Sequence, residues 1–343
     1  MKHKIFAGTY EPAIRAGVHV LEFDSANGAI VHKASLKGIE RAGFLALHPS
    51  RRWLYATSEV HDGSVVAVDL FGGGMQIMNS QPSGGADPCH LSIDATGKWL
   101  FVANYTGGSI AMMPIHENGA LEPMSDFVQH TGHGPNPDRQ EKAHAHSITI
   151  DRSNRFAIVA DLGQDQVFVY SIDLVAGKLK LHGAAHLAPG SGPRHVAFHT
   201  SHKWLYVCNE LGNTVTQLLW NATDGTLSVV NSWPSLPESW HGSSTMADIH
   251  IAPNGTWLAA SNRGHDSIVL FHIDAVTGAL TPNGTVPSGG AVPRNFAIDP
   301  SGAWVLAGNQ RSDLIQVFSA AGGNLAMTNN HIGVPSPVCI LVD

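Results

Sequence analysis

A seven-residue phrase recurs seven times along the chain: KIFAGTY (4–10), WLYATSE (53–59), WLFVANY (99–105), FAIVADL (156–162), WLYVCNE (204–210), WLAASNR (257–263) and WVLAGNQ (304–310). Its copies start 46 to 57 residues apart, a spacing that marks structural repeats. The last six copies each follow a turn and a second short apolar run: FLAL, HLSI, SITI, HVAF, DIHI and NFAI. Alternating runs such as SVVAVDL and SIVLFHI come after, then hairpin signals such as DSANGAI, DLVAGKL and DAVTGAL. One unit is therefore a four-stranded antiparallel meander of about 50 residues.

Such sheets cannot bury both faces alone, but they can when packed radially, so the pattern predicts an all-β, seven-bladed β-propeller. The first phrase has no partner strand before it. PVCILVD (337–343) matches the missing class, which predicts that the C-terminus supplies the innermost strand of the N-terminal blade and closes the ring as one domain over 1–343. The composition agrees: charged residues are 14%, with 36 Gly and 19 Pro, a turn-rich balance.

Aligned positions of the innermost strand become rings around a channel. Two of them are apolar almost throughout, for example Leu45, Leu91, Ile148, Val196 and Ile249, and are expected to face between blades. The position between them is mostly small. Just before this strand the residues turn polar: His90, His146, Arg194 and His195, Asp248, Arg294. The next strand runs back to the same end, bringing Tyr10, Glu59, Tyr105, Asn209 and Glu210, Asn262 and Arg263, and Gln310. Both sets should meet in one polar funnel. The opposite mouth should hold ordinary turns with no recurring ionisable group. A Gly/Pro-rich, charged stretch, QHTGHGPNPDRQEKAHAH (129–146), lengthens the third repeat and reads as a lid or binding loop above the funnel.

The net charge of −7 has no basic tract, so nucleic acid and anionic membrane surfaces are not expected as partners. No apolar run approaches the ~18 residues of a membrane span. With no secretory pattern at the start of the chain, the expectation is a cytoplasmic protein, monomeric or homodimeric. Cys89, Cys208 and Cys339 are widely spaced in apolar strands and read as buried free thiols. His130, His133, His144 and His146 include an H-x-H pair but no carboxylate or thiol set beside it, so no metal and no cofactor is expected.

GPNPDRQEKAHAHSI, GPRHVAFH, LYVCNEL, ASNRGHDSI and VPRNFAIDPSG, in this order and spacing, resemble the seven-bladed propeller lactonases. That family includes propeller-type 6-phosphogluconolactonases and the fungal carboxy-cis,cis-muconate lactonizing enzyme. The resemblance implies a catalytic set of His146, Arg194, Glu210 and Arg263. Around it, His90, His144, His195, Asp248, Arg294, Asn209, Asn262, Gln310 and Tyr105 are the candidate substrate-binding residues.

Lactone hydrolysis needs a base for water, an oxyanion partner and a proton for the departing ring oxygen. His146 or Glu210 can serve as base, while Arg194 and Arg263 can hold a carbonyl oxygen or an anionic substituent. The expected substrate is a small anionic or sugar lactone. The same groups could close a ring on a muconate-like carboxylate, and a non-enzymatic binding propeller is a third alternative.

Overall fold

The computed structural model describes residues 1–343. Seven four-stranded antiparallel sheets form a ring, with the innermost strand of each beside that of the next. We number the blades by innermost strand: blade 1, Leu45–Leu47; blade 2, Pro88–Ile93; blade 3, Ala145–Ile150; blade 4, Pro193–Phe198; blade 5, Thr245–Ile251; blade 6, Pro293–Ile298; blade 7, Pro337–Val342. Blade 7 takes its other strands, Lys2–Thr9, Ala16–Asp24 and Ala29–Lys37, from the opposite end of the chain. Ile5 pairs with Val342 and Gly8 with Cys339, so the closing strand sits where the repeat alignment puts it.

No blade has a core of its own. There are seven apolar clusters, each shared by two neighbouring blades. In blade 4, Trp204, Tyr206 and Cys208 pack against blade 5, while Leu205 and Val207 pack against blade 3. Both faces of the strand are buried, which is why the recurring phrase reads as a continuous apolar run instead of an alternation.

The aromatic residue that opens most copies of the phrase packs beneath a hairpin of the following blade. A side-chain carbon at Gly278 would overlap the Trp204 ring, and one at Gly119 would overlap Trp53. The same relation joins Trp99 to Gly177, Phe156 to Gly225, Trp257 to Gly323 and Trp304 to Gly28. Blade 7 has Lys4 at this place, and correspondingly Gly73 of the blade 1 hairpin has open space around it.

The far mouth departs from expectation, because its turns do carry a recurring polar group. Asp94, Asp151 and Asp299 accept backbone N–H groups of their own turns, as Asp94 does from Thr96, Lys98 and Trp99. His48 and His199 stand at the same position and donate through Nε2 to Gly97 and Gly255 of the next blade. The motif went unread because two chemically different residues share one structural task.

The Trp–Gly contact makes a prediction. Gly73 and Gly278 both have left-handed φ, +80° and +70°, so Ala at either incurs a backbone cost of about 1–2 kcal/mol. Only Gly278→Ala also collides with a ring, adding about 1–3 kcal/mol. Chemical denaturation of the two variants should show that difference, and equal midpoints would refute the role given to the contact.

Candidate active site

The inward aim of the polar residues comes from a repeated irregularity of the inner strand. In blade 2, Pro88 pairs with Asn104 and His90 with Ala103, leaving Cys89 as an extra residue; His146, Arg194 and Arg294 are left over in the same way in blades 3, 4 and 6. A bulge of this kind bends the strand and re-aims a side chain. Here it turns the extra residue toward the mouth of the channel.

The second strand contributes through ordinary pleating. Thr9, Ser58, Asn104, Asp161, Asn209, Asn262 and Asn309 point away from the axis and bond within their own blade or to its flanking loops. In five of the seven blades the residue that follows points the other way. Tyr10, Glu59, Tyr105, Glu210 and Arg263 therefore line one cavity with Cys89, His146, Arg294, Arg41 and Arg139, enclosing about 320 Å³.

Glu210 is the hub of one wall. Its Oε2 accepts from Arg194 Nε and Arg263 Nη2, both at 2.9 Å, and its Oε1 accepts from Arg139 Nη2 at 2.6 Å. Burial alone would raise its pKa, but Arg263, Arg194 and Arg139 outweigh that and hold it at about 2. His146 Nε2 lies 3.9 Å from Glu210 Oε2. Burial, then Arg194, His195 and Arg294, push the imidazole well below its usual range, so it is neutral at pH 7. Arg263 is itself lowered to about 10 by burial and by its neighbouring arginines, and its Nε has no protein partner.

Glu59 is the hub of the opposite wall. Tyr10 donates its hydroxyl to Glu59 Oε1 at 2.5 Å, and Arg294 donates to the Tyr10 oxygen. Arg41 lies 4.1 Å over the Tyr10 ring and donates to the Glu59 carbonyl at 3.0 Å. Burial raises the Glu59 pKa in spite of Arg294, Tyr10, Arg41 and Arg194.

Of the sequence candidates, His146, Glu210, Arg263, Arg294 and Tyr105 line the cavity, and Arg194 is buried against Glu210. Several others do not reach it. Asn209 and Asn262 are on the outward pleat, each held by hydroxyls or carbonyls of its blade and the adjoining loop. Gln310 opens a single turn, Gln310–Ser312, outside the cavity wall. His144 stacks beneath Tyr105 at 4.6 Å and bonds its carbonyl, so it supports the wall without forming it.

His90, His195 and Asp248 make a deeper layer in the channel. His195 and His90 are edge-to-face at 5.3 Å, and burial lowers the His195 pKa to about 4. Asp248 accepts from His195 at 2.8 Å, His250 at 2.9 Å and Asn295 at 2.6 Å. With both oxygens engaged, it has nothing left for a ligand. The four histidines around the insertion also diverge: His130 is bound between Asp161 and Tyr170, and His133 is exposed.

Arg139 and Arg41 were not singled out from the sequence, Tyr10 and Glu59 were placed at the mouth without a role, and Cys89 was read as a buried thiol. Arg139 comes from the insertion, which is anchored by the buried Gln140 bonding Leu162 and Asp165. It is a fixed arm, not a loose flap.

The chain matches the family model described as "Lactonase, 7-bladed beta-propeller" over residues 4–342. It belongs to this lactonase family. It is 31% identical over 340 residues to the 6-phosphogluconolactonase of Bacillus subtilis, covering 98% of this chain and 97% of that one. It is 36% identical over 294 residues to the 6-phosphogluconolactonase of Formosa agariphila, covering 82% of each. Among solved structures, the Pseudomonas aeruginosa periplasmic gluconolactonase PpgL superposes with a TM-score of 0.93 at 27% identity, over 100% of this chain and 99% of that one. This lactonase is thus a lactone-hydrolysing enzyme by family, and no helix in it is long and apolar enough to cross a membrane.

The Glu210 cluster in this lactonase has a consequence for acid stability. A carboxyl depressed from ~4.3 in the unfolded chain to about 2 when folded contributes stability above the unfolded value and loses it as pH falls toward the folded one. Thermal melts of wild type and Glu210→Gln should differ most above about pH 5 and converge toward pH 2. A gap that is constant with pH would contradict the ion cluster.

Proposed function

We propose that this lactonase hydrolyses a phosphorylated sugar lactone of the 6-phosphogluconolactone type in the cavity at the bulged end of the channel. The observation that carries the reading is the charge of the cavity. Arg41, Arg139, Arg194, Arg263 and Arg294 stand against only Glu59 and Glu210, a cationic surplus suited to a dianionic phosphate together with a developing oxyanion. The named activity of the Bacillus and Formosa relatives supports it, whereas the name of the Pseudomonas relative carries no phosphate. The three buried, unpaired cysteines suit work in a reducing compartment such as the cytoplasm.

In this reading a water attacks the lactone carbonyl while neutral His146 takes its proton. The guanidiniums around Glu210 stabilise the oxyanion. Glu210, held ionised by three arginines, is too weak a base for the water and instead fixes those arginines in place. An incoming anion would offset their charge and raise the basicity of His146 at the moment it is needed.

Incubation with sugar lactones and muconates, following acid release and ultraviolet absorbance, tests the reading. Acid release from 6-phosphogluconolactone is expected, with kcat/KM for the unphosphorylated lactone lower by about 10- to 10²-fold, since losing a charge-assisted contact of this kind costs roughly 1.5–3 kcal/mol. A change in muconate absorbance without acid release would overturn it. His146→Ala should lower kcat by about 10²–10⁴ with KM nearly unchanged. Glu210→Gln should mainly raise KM.

A further inference from the structure

Glu59 and Glu210 occupy the same place in two repeats, the residue after the second strand, and face one cavity from different blades. The three guanidiniums on Glu210 leave it no proton to give. Glu59 is built differently. Its Oε1 meets the Tyr10 hydroxyl and, at 3.5 Å, a single guanidinium from Arg294, and its Oε2 is buried without a partner against Gly43, where a side-chain carbon would overlap it. Gly43, which aligns in the repeat with Cys89, His146, Arg194 and Arg294, therefore makes the room that the carboxyl fills.

When Glu59 carries its proton on Oε1, the Tyr10 oxygen accepts from both Glu59 and Arg294. Its two acceptor positions are then occupied, and its own hydrogen has no protein acceptor left and must point into the cavity. We propose that Tyr10 and Glu59 form the proton-donating side of this lactonase, with Tyr10 as the group that protonates the departing ring oxygen and Glu59 as the source that refills it. The proposal rests on the reading of the site as a lactone hydrolase.

As the tetrahedral intermediate collapses, the bond from carbonyl carbon to ring oxygen breaks and its electron pair goes to that oxygen. The oxygen takes the Tyr10 proton, and Tyr10 takes the proton of Glu59. Glu59 is reprotonated from solvent after product leaves, balancing the proton that His146 removed from water. Burial favours the protonated carboxyl that this needs, against Arg294, Arg41 and Arg194, with the Cys89 thiol also buried close by. Burial pushes the Tyr10 pKa up, and Arg294 on the hydroxyl and Arg41 over the ring offset part of that cost for the transient phenolate between the two transfers.

The test is steady-state kinetics of wild type, Tyr10→Phe and Glu59→Gln across pH, on the lactone that wild type hydrolyses fastest, with a thermal melt of each. Glu59→Gln keeps an acceptor for Tyr10, and Tyr10→Phe removes a single oxygen, so two independent variants probe the pair. Each should lose about 10²–10³ in kcat with KM within about threefold. Wild-type kcat should fall as rising pH deprotonates Glu59, and that alkaline limb should be absent in Glu59→Gln. A rise in KM with kcat retained would make the pair an anion subsite and overturn the proposal, as would wild-type kinetics in both variants. A wild-type protein that releases acid from no lactone would end the hydrolase reading itself, and the proposal with it.

Discussion

Everything in this molecule depends on blades that have no hydrophobic interior until they meet one another. Each apolar cluster belongs half to one blade and half to the next, so the only way to satisfy both faces of every sheet is a closed ring. The clusters that join blade 7 to blades 1 and 6 include Cys339 and Ile340 from the last strand. The two chain ends are thus parts of one packing unit, and the closing strand is as much core as any other.

Closure brings seven inner strands to one axis, and the site follows from that crowding. Bulges release the strands from regular pairing just where they approach the mouth. His146, Arg194 and Arg294 thereby face the axis together with the second-strand residues opposite. Deeper in the channel, His195, Asp248, His250 and Asn295 bond one another across blades 4, 5 and 6. That layer forms a polar floor whose members bond one another, while above it Glu59 Oε2 and Arg263 Nε have no protein partner.

The two walls show how one repeat position acquires opposite chemistry. Glu210 meets three guanidiniums and stays ionised well into acid. Glu59 meets a phenol, one more distant guanidinium and the backbone of Gly43, and burial there favours its protonated form. Environments that drive two carboxyls of one cavity apart are what the proposed reaction would use as an electrostatic anchor and a proton source.

The ring, the blade count, the closing strand and the end of the channel where the polar residues gather were legible in the sequence, because each rests on a local pattern repeated seven times. The pairing of Ile5 with Val342 needed only alignment of the copies. The pleat could not be read where pairing becomes irregular, so Asn209 and Glu210 looked equally eligible although one faces its own blade and the other the cavity. Arg139 and Arg41 are outside the repeat, in loops whose reach has no periodic signal. The sequence by itself determined which groups come to the mouth; tertiary structure decided which of them remain free to act. That freedom depends on neighbours contributed by other blades: donors saturate Asp248, arginines hold Glu210 ionised, and glycine makes space beside Glu59.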